Sequence, residues 1–320
     1  MLRSFLIYLS KAEWARRFIT RWKFSWRAAS RFVAGEKLED AIRVVKELNR
    51  KGINATLDHL GEHTTTPEKA RQATLDIVDI LETIDRRGVK ANVSIKLTQI
   101  GLALDEDLCG ENLRTILENS RLHDTFVRID MEDSKWVDKT LELFRLARED
   151  CGCDNVGIVI QSYLYRSEKD VQDLLKDSTR IRLCKGAYKE PEELAYPKKS
   201  DVDASYDRIT DRLIEGSYAA GAPEVSPNGK IPPIPAIATH DQKRIAHAKA
   251  KAERCGLPKQ ALEFQMLHGI RRDLQESLAN EGYPVRVYVP YGSEWYPYFT
   301  RRLAERPANV WFFISNLLRK

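Results

Sequence analysis

Beyond Gly35 the chain alternates between short apolar runs and longer stretches of helical period. The runs are rich in Val, Ile and Leu and fall at Asn54–Leu57, Ala91–Ile95, Phe126–Ile129, Val156–Ile160, Ile181–Cys184, Ala236–Ala238, Leu262–Phe264 and Val285–Val289. Runs this short and this apolar suit strands buried on both faces, as in a parallel sheet. Between them lie helix patterns. Pro67–Arg86 follows a Thr66 cap and has proline at its first position, and Lys135–Glu149 is opened by Asp133 or Ser134. Eight strands alternating with helices predict an α/β protein built as a distorted (β/α)8 TIM-like barrel. A doubly wound open sheet is the competing architecture, but neither G-x-G-x-x-G nor G-x-x-x-x-G-K-[ST] follows any of the strands.

Composition adds little to this and removes much. Of 320 residues, 42% are hydrophobic and 31% charged, which excludes global disorder, collagen and a disulfide scaffold. The five cysteines are an odd number in a chain too large to need stapling, so a reducing, cytoplasmic setting is expected. No apolar stretch is long enough for a membrane span, and Phe5–Leu9 is too short for a signal peptide. The net charge of +5 is interleaved along the chain and gives no nucleic-acid footprint. The exception is the first segment. Residues 1–34 carry eight Lys and Arg against one acid, Glu13, with Trp14, Phe18, Trp22 and Trp26 recurring every fourth position. That pattern predicts a basic amphipathic helical arm over 1–35, ahead of a barrel over 36–320. The arm either packs on protein or lies on a membrane surface, peripheral on its inner face.

Barrel enzymes carry their chemistry at the carboxyl ends of the strands. Here those ends read Asp58, Lys96, Asp130, Gln161, Lys185, Thr239 with His240 and Asp241, Gln265, and Tyr288 inside the eighth run. His59-Leu60-Gly61-Glu62-His63 matches the H-x-x-E-H zinc pattern, but a strand ends before it and Gly61 interrupts it, so a βα loop is expected rather than a metal site. Cys151-Gly152-Cys153 has the wrong spacing for a zinc knuckle. Three stretches carry more. Arg182–Tyr188 runs a buried strand into Lys185 and Gly186, which suits either a phosphate held close to the main chain or a plain turn. Pro235–Asp241 ends a strand at a helix start, which reads as anion binding or as a capping Asp241. Tyr298–Arg306 places Tyr298, Arg302 and Glu305 on one helical face with Arg301 at its edge. With Trp295 nearby, that face suits bidentate capture of a carboxylate.

Taken together these segments resemble proline dehydrogenase, found alone in bacteria and as the catalytic domain of the proline utilisation A flavoenzymes. The resemblance rests on Leu57-Asp58-His59-Leu60-Gly61-Glu62, Ser94-Ile95-Lys96-Leu97-Thr98-Gln99, Arg128-Ile129-Asp130-Met131-Glu132-Asp133-Ser134, Gln161-Ser162-Tyr163-Leu164-Tyr165-Arg166, Arg182–Tyr188, Ala238-Thr239-His240, Glu263-Phe264-Gln265, and Y-x-x-R-R-x-x-E-R from Tyr298 to Arg306. It implies oxidation of L-proline to Δ1-pyrroline-5-carboxylate with non-covalent FAD, FMN being the alternative flavin, and a membrane quinone as final acceptor. By position it implies Asp130 and Arg182 as catalytic groups. Lys96, Arg301 and Arg302 would hold the carboxylate, with Leu183, Tyr188, Tyr288 and Tyr298 around the ring and Glu305 on the same helix. Met131, Gln161, Lys185, Gly186, Ala187, Thr239, His240 and Gln265 fall at cofactor positions, and Glu62 at a gate that pairs with Arg301.

Two features depart from the family pattern. Residues 220–235 look like a proline-containing insertion ahead of the sixth strand, expected as an ordered surface loop or a flap. Cys184 stands where an aliphatic residue is usual and is expected as a small buried hydrophobe. Two rival functions remain from the residues themselves. Lys96 or Lys185 could form a Schiff base in a lyase. Alternatively, the arm could mark a membrane-surface or partner-binding protein.

Overall fold

Each apolar run is a strand, and the strands are β1 (Asn54–His59), β2 (Ala91–Ile95), β3 (Val127–Ile129), β4 (Val156–Gln161), β5 (Ile181–Cys184), β6 (Pro235–Ala238), β7 (Glu263–Leu267) and β8 (Val285–Tyr291). They pair in chain order, all parallel, and β8 returns to β1 in a register running from Asn54 opposite Arg286 to His59 opposite Tyr291. The result is a closed (β/α)8 barrel of the α/β class. The computed structural model describes residues 26, 29–61, 64–152 and 154–305.

Helix α1 (Leu38–Arg50) precedes the barrel. The helices that follow the strands are α2 (Pro67–Arg86), α3 (Glu106–Leu122), α4 (Val137–Cys151), α5 (Ser167–Leu175), α6 (Lys199–Ala219), α7 (Gln242–Cys255), α8 (Arg272–Asn280) and α9 (Trp295–Glu305). Local chemistry sets their starts. Thr66 Oγ1 accepts from Lys69 N at the head of α2, Asp105 accepts from Leu108 N before α3, and Asp241 Oδ1 accepts from Lys243 N before α7. The helix expected over Lys135–Glu149 begins with a 3-10 turn, Ser134–Trp136, and becomes α-helical only from Val137.

The outward faces of the strands and the inner faces of the helices form one large apolar core. A second, smaller cluster lies apart from it. Ala29, Phe32 and Val33 pack with Leu60 and with Trp295, Tyr296, Tyr298, Phe299 and Leu303 of α9, and the Trp26 ring meets Trp295 edge-on at 5.5 Å. The basic helix expected over 1–34 otherwise lies outside the described residues. None of the described helices is long and apolar enough to cross a membrane.

The barrel interior is polar where such barrels are usually filled with Val, Ile and Leu. Arg286 on β8 and Glu263 on β7 are at most 1% exposed and meet through two bonds of 2.9 Å, Nε to Oε1 and Nη2 to Oε2. Thr56 donates to Asn92 at 2.6 Å. Arg128 is equally buried, gives Nη1 to the carbonyls of Ile158 and Arg180, and stacks its guanidinium 4.8 Å from the Phe126 ring. Burial and the neighbouring Arg182 charge push the Arg128 guanidinium well below its usual range. Gly157 makes room for it, since a Cβ there would strike the Arg180 carbonyl, the Arg128 guanidinium and the Phe126 ring.

The 220–235 segment is ordered and closes the amino end of the barrel. Arg286 Nη2 donates to Gly229 O and Asn92 Nδ2 to Lys230 O, while Lys230, 7% exposed, sends its Nζ to His123 O. The loop satisfies donors that would otherwise face solvent at the barrel floor. Removing one partner of a buried, multiply bonded pair strands the other charge, whereas an exposed pair contributes little. Arg286→Met should therefore destabilise the protein by about 3–5 kcal/mol. Lys51→Met, which breaks an exposed pair with Glu276, should cost under about 1 kcal/mol. Equal shifts of the two urea unfolding midpoints would overturn this ranking.

Candidate active site

Side chains two residues apart on a strand share a face, so the inward register carries polar groups up to the carboxyl end of the barrel. Asp130, just past β3, is the point where they meet. Its Oδ1 accepts from Arg182 Nη1 at 2.8 Å and from Ser94 Oγ at 3.0 Å, and its Oδ2 accepts from the Tyr288 hydroxyl at 2.9 Å. Lys96 Nζ lies 4.0 Å from Oδ2 and donates to Asp58 Oδ1 at 2.9 Å. Arg182 Nη1 also donates to Ser94 at 2.9 Å and its Nε to Gln265 Oε1 at 2.5 Å, and its Cζ sits 5.4 Å from the Tyr288 ring centre. Burial, with the Asp130 and Asp58 charges adding to it, raises the Tyr288 phenol well above its usual range. Tyr288 thus keeps its proton and spends it on Asp130. Cys184 ends β5 beside this group, half-buried where a fully buried side chain is expected, and desolvation pushes its thiol up to about 12, so it stays neutral.

The positions expected to hold a cofactor lie around the same rim. Gln161 donates Nε2 to Met131 O at 3.0 Å, and its Oε1 is buried with no partner among the described residues. Gly186 has φ +108° and lies against the Tyr163 ring, so a side chain there would be both strained and obstructed. Ala187 is exposed and Tyr188 half-buried in the loop that follows. Thr239 Oγ1 accepts from Asp241 N, and His240 Nε2 accepts from Leu267 N at 3.0 Å, which leaves the neutral ring's proton on Nδ1. Lys185 donates to both Asp203 and Asp241, the latter at 3.0 Å. Asp241 therefore both caps α7 and holds this lysine, so the two readings of its segment are not exclusive.

Helix α9 follows β8 and packs against Leu60 at the end of β1, which sets it over the carboxyl end of the barrel. Tyr298 is buried, and the Arg302 Cζ lies 5.1 Å from its ring centre, with Arg301 half-buried beside it. Glu305 closes the helix. Glu62 lies outside the described residues.

Leu183 is not brought to this group. Arg182 points into the barrel, so its neighbour Leu183 faces the helices, fully buried in the outer core. The inward register on β7 continues from Glu263 and Gln265 to Leu267, which pairs opposite Tyr288 and is partly exposed at the rim. Leu267 and Ser94 join the site without having been singled out for it, and Asp58, marked only as a strand end, joins it by holding Lys96. The same two-residue spacing from Gln265, from Lys96 and from Thr56 would have found all three.

The proline dehydrogenase family profile matches residues 41–314. The chain is 40% identical over 319 residues to proline dehydrogenase 2 of Bacillus subtilis, covering 99% of each chain. It is 44% identical over 298 residues to a proline dehydrogenase of Deinococcus radiodurans, covering 92% of this chain and 91% of that one. Among solved structures it is similar to proline utilization A from Bdellovibrio bacteriovorus inactivated by N-propargylglycine, with a TM-score of 0.78 and 27% identity over 88% of this chain. The chain spans 33% of the length of that larger protein.

His268, next after β7 and 8% exposed, yields a pH test. Burial, with the Arg272 charge adding to it, pushes its imidazole down to about 4. Its folded value lies below an unfolded value near 6.5, so the unfolded chain binds the proton first. This contribution to stability is full above about pH 6.5 and is lost as pH falls toward 4, by at most about 3 kcal/mol. His268→Gln should flatten the melting temperature over that window, and an unchanged acid slope would overturn the assignment.

Proposed function

The chain belongs to the proline dehydrogenase family, and we propose that it oxidises L-proline to Δ1-pyrroline-5-carboxylate with non-covalent FAD and passes the electrons to a membrane quinone. The observation that carries this is Asp130, a carboxylate bonded at once to Arg182, Ser94 and Tyr288 at the carboxyl end of the barrel, with Lys96 beside it. The reaction removes a hydride from C5 of the ring and one proton from its nitrogen, and no nucleophile takes part. FAD, when bound, supplies the hydride acceptor.

The residues of this chain supply position and charge. Arg301 and Arg302 on α9, with Lys96, hold the substrate carboxylate, and the positive field they share disfavours the protonated amine. Tyr298, Tyr288 and Tyr188 enclose the ring, and the phenol of Tyr288 is held by Asp130 so that its ring face is fixed. Arg182 and Asp130 lie nearest the reacting carbon. Around the cofactor, the unused Gln161 acceptor fits a ring N–H, and Gly186 lets the main chain approach closely. Met131, Ala187, Thr239 and the Nδ1–H of His240 complete that set, whereas both ends of the Gln265 amide are engaged within the protein, by Arg182 and Glu263, which removes it from the cofactor positions. The Lys185 charge is already offset by Asp203 and Asp241, so its part is to fix the loop. Glu62 gates the site by pairing with Arg301.

The lyase reading fares worse on the same geometry. Lys96 and Lys185 each sit within 3.0 Å of a carboxylate that engages the nitrogen, so neither is presented as a nucleophile to a carbonyl. The basic, aromatic composition of residues 1–34 supports, on this reading, a cytoplasmic protein peripheral on the inner face of the membrane.

Two experiments test this reading. The purified protein should show a flavin band that L-proline bleaches under anaerobic conditions, and Arg302→Met should raise the proline concentration for half-bleaching about 30-fold, the worth of a charged hydrogen bond, with flavin content intact. A yellow protein indifferent to proline, or a variant that loses its flavin, would overturn the assignment. Deleting residues 1–25, which spares the Trp26 contact with α9, should preserve activity with a soluble dye and lower it with vesicle-borne quinone. Equal loss with both acceptors would make the arm structural.

A further inference from the structure

We propose that Gln265, and behind it the Glu263–Arg286 pair on the barrel floor, are positioning residues that set the orientation of Arg182 and, through it, of the Asp130–Tyr288 pair. This rests on the reading of Arg182 as a group at the reacting centre.

The Arg182 guanidinium is gripped at two places. Nη1 is bonded to Ser94 and Asp130, at 2.9 and 2.8 Å, and Nε to Gln265 Oε1 at 2.5 Å. Rotation of the plane breaks one set or the other. The Gln265 bond holds only if the amide presents its oxygen, and an amide can turn over. Its other end decides the matter, because Gln265 Nε2 donates to Glu263 Oε1 at 2.6 Å. A turned amide would face N–H against N–H at Arg182 and oxygen against carboxylate at Glu263, so both contacts would become repulsive.

Glu263 is fixed in turn. Arg286 meets both of its oxygens at 2.9 Å and anchors its own remaining donors on Ala55 O and Gly229 O, also at 2.9 Å. A continuous series of bonds, buried as far as Arg182 and partly buried beyond it, therefore runs from the 220–235 loop to the Tyr288 hydroxyl, with cation and anion alternating along it. A glutamine needed only to fill space would be replaceable by leucine, and nothing in packing alone requires one particular amide orientation. Such networks of directed bonds transmit a change at one member to the rest.

The test uses the holoenzyme and the variants Gln265→Leu, Glu263→Gln and their combination. Gln265→Leu should slow bleaching of the flavin by L-proline about tenfold or more, with the proline KM changed less than about threefold, since the carboxylate-binding groups are untouched. Glu263→Gln should slow the same step, and should add nothing further when Gln265 is already leucine. A crystal structure of the Gln265→Leu protein should show the Arg182 guanidinium displaced from Ser94 or Asp130. An unchanged bleaching rate, a change confined to KM, additive effects of the two substitutions, or an undisplaced Arg182 would each overturn the proposal. Glu263→Gln leaves the Arg286 charge without its carboxylate and can fail to fold, in which case Gln265→Leu and its crystal structure decide alone. If proline does not bleach the unaltered protein, the functional reading falls, and the displacement of Arg182 in that crystal structure still decides the positioning.

Discussion

The constraint on which the rest depends is that this barrel closes around ionised side chains. A closed parallel sheet leaves no edge for water to reach, and Arg128, Arg286, Glu263 and Arg182 lie inside it at 6% exposure or less. An unpaired charge in such a place is costly by several kcal/mol. Arg128 meets only carbonyls, through Nη1, whereas Arg286, Glu263 and Arg182 are met by a carboxylate, a carbonyl or an amide, and among these three the partners of one become the partners of the next. The chemistry at the rim and the seal at the floor belong to one network. That is why a loop at the amino end of the barrel, far along the chain from Asp130, bears on the site: Gly229 holds Arg286, Arg286 holds Glu263, and Glu263 sets the amide that faces Arg182.

Most of the fold was legible because parallel strands buried on both faces must be short and apolar. β2 and β5 fall where the runs were drawn, and the other strands differ by a few residues at their ends. β7 shows why the method slips. It runs from Glu263 to Leu267, past the Phe264 where the apolar run stops, because Glu263 and Gln265 face a polar interior and break the pattern that identifies a strand. The site was legible to a similar depth. Strand ends pointed to Asp130, Lys96 and Gln161, but only the two-residue alternation separates Arg182, inside, from Leu183, outside. Positional resemblance took the neighbour of a site residue for a site residue. Cross-barrel bonds such as Arg182 to Gln265 join positions 83 apart in the chain, and no local pattern encodes them.

The two halves of the proposed substrate site are supported by different packing. Asp130, Arg182, Tyr288 and Lys96 project from strands whose backs are buried in the main core, so their placement is as rigid as the barrel. Tyr298, Arg301 and Arg302 project from α9, which packs in a separate cluster built with Trp26, Phe32 and Leu60. The division suits the two tasks. Hydride transfer tolerates little error in the distance of the reacting carbon, and in the proposed reaction that distance would be governed by the strand-borne groups. Capture of a carboxylate by guanidinium groups on a helix tolerates more, and a helix with its own small core can adjust to a substrate without disturbing the buried charges beneath. The chain just ahead of α1 touches both parts: Ala34, packed on the main core, donates its N–H to Pro290 O of β8 at 2.9 Å, and Trp295 Nε1 of α9 donates to Glu36 at 3.2 Å. Residues 34–36 therefore tie the carboxyl end of β8 to the start of α9, at the joint between the strands and the helix that carries Arg301 and Arg302.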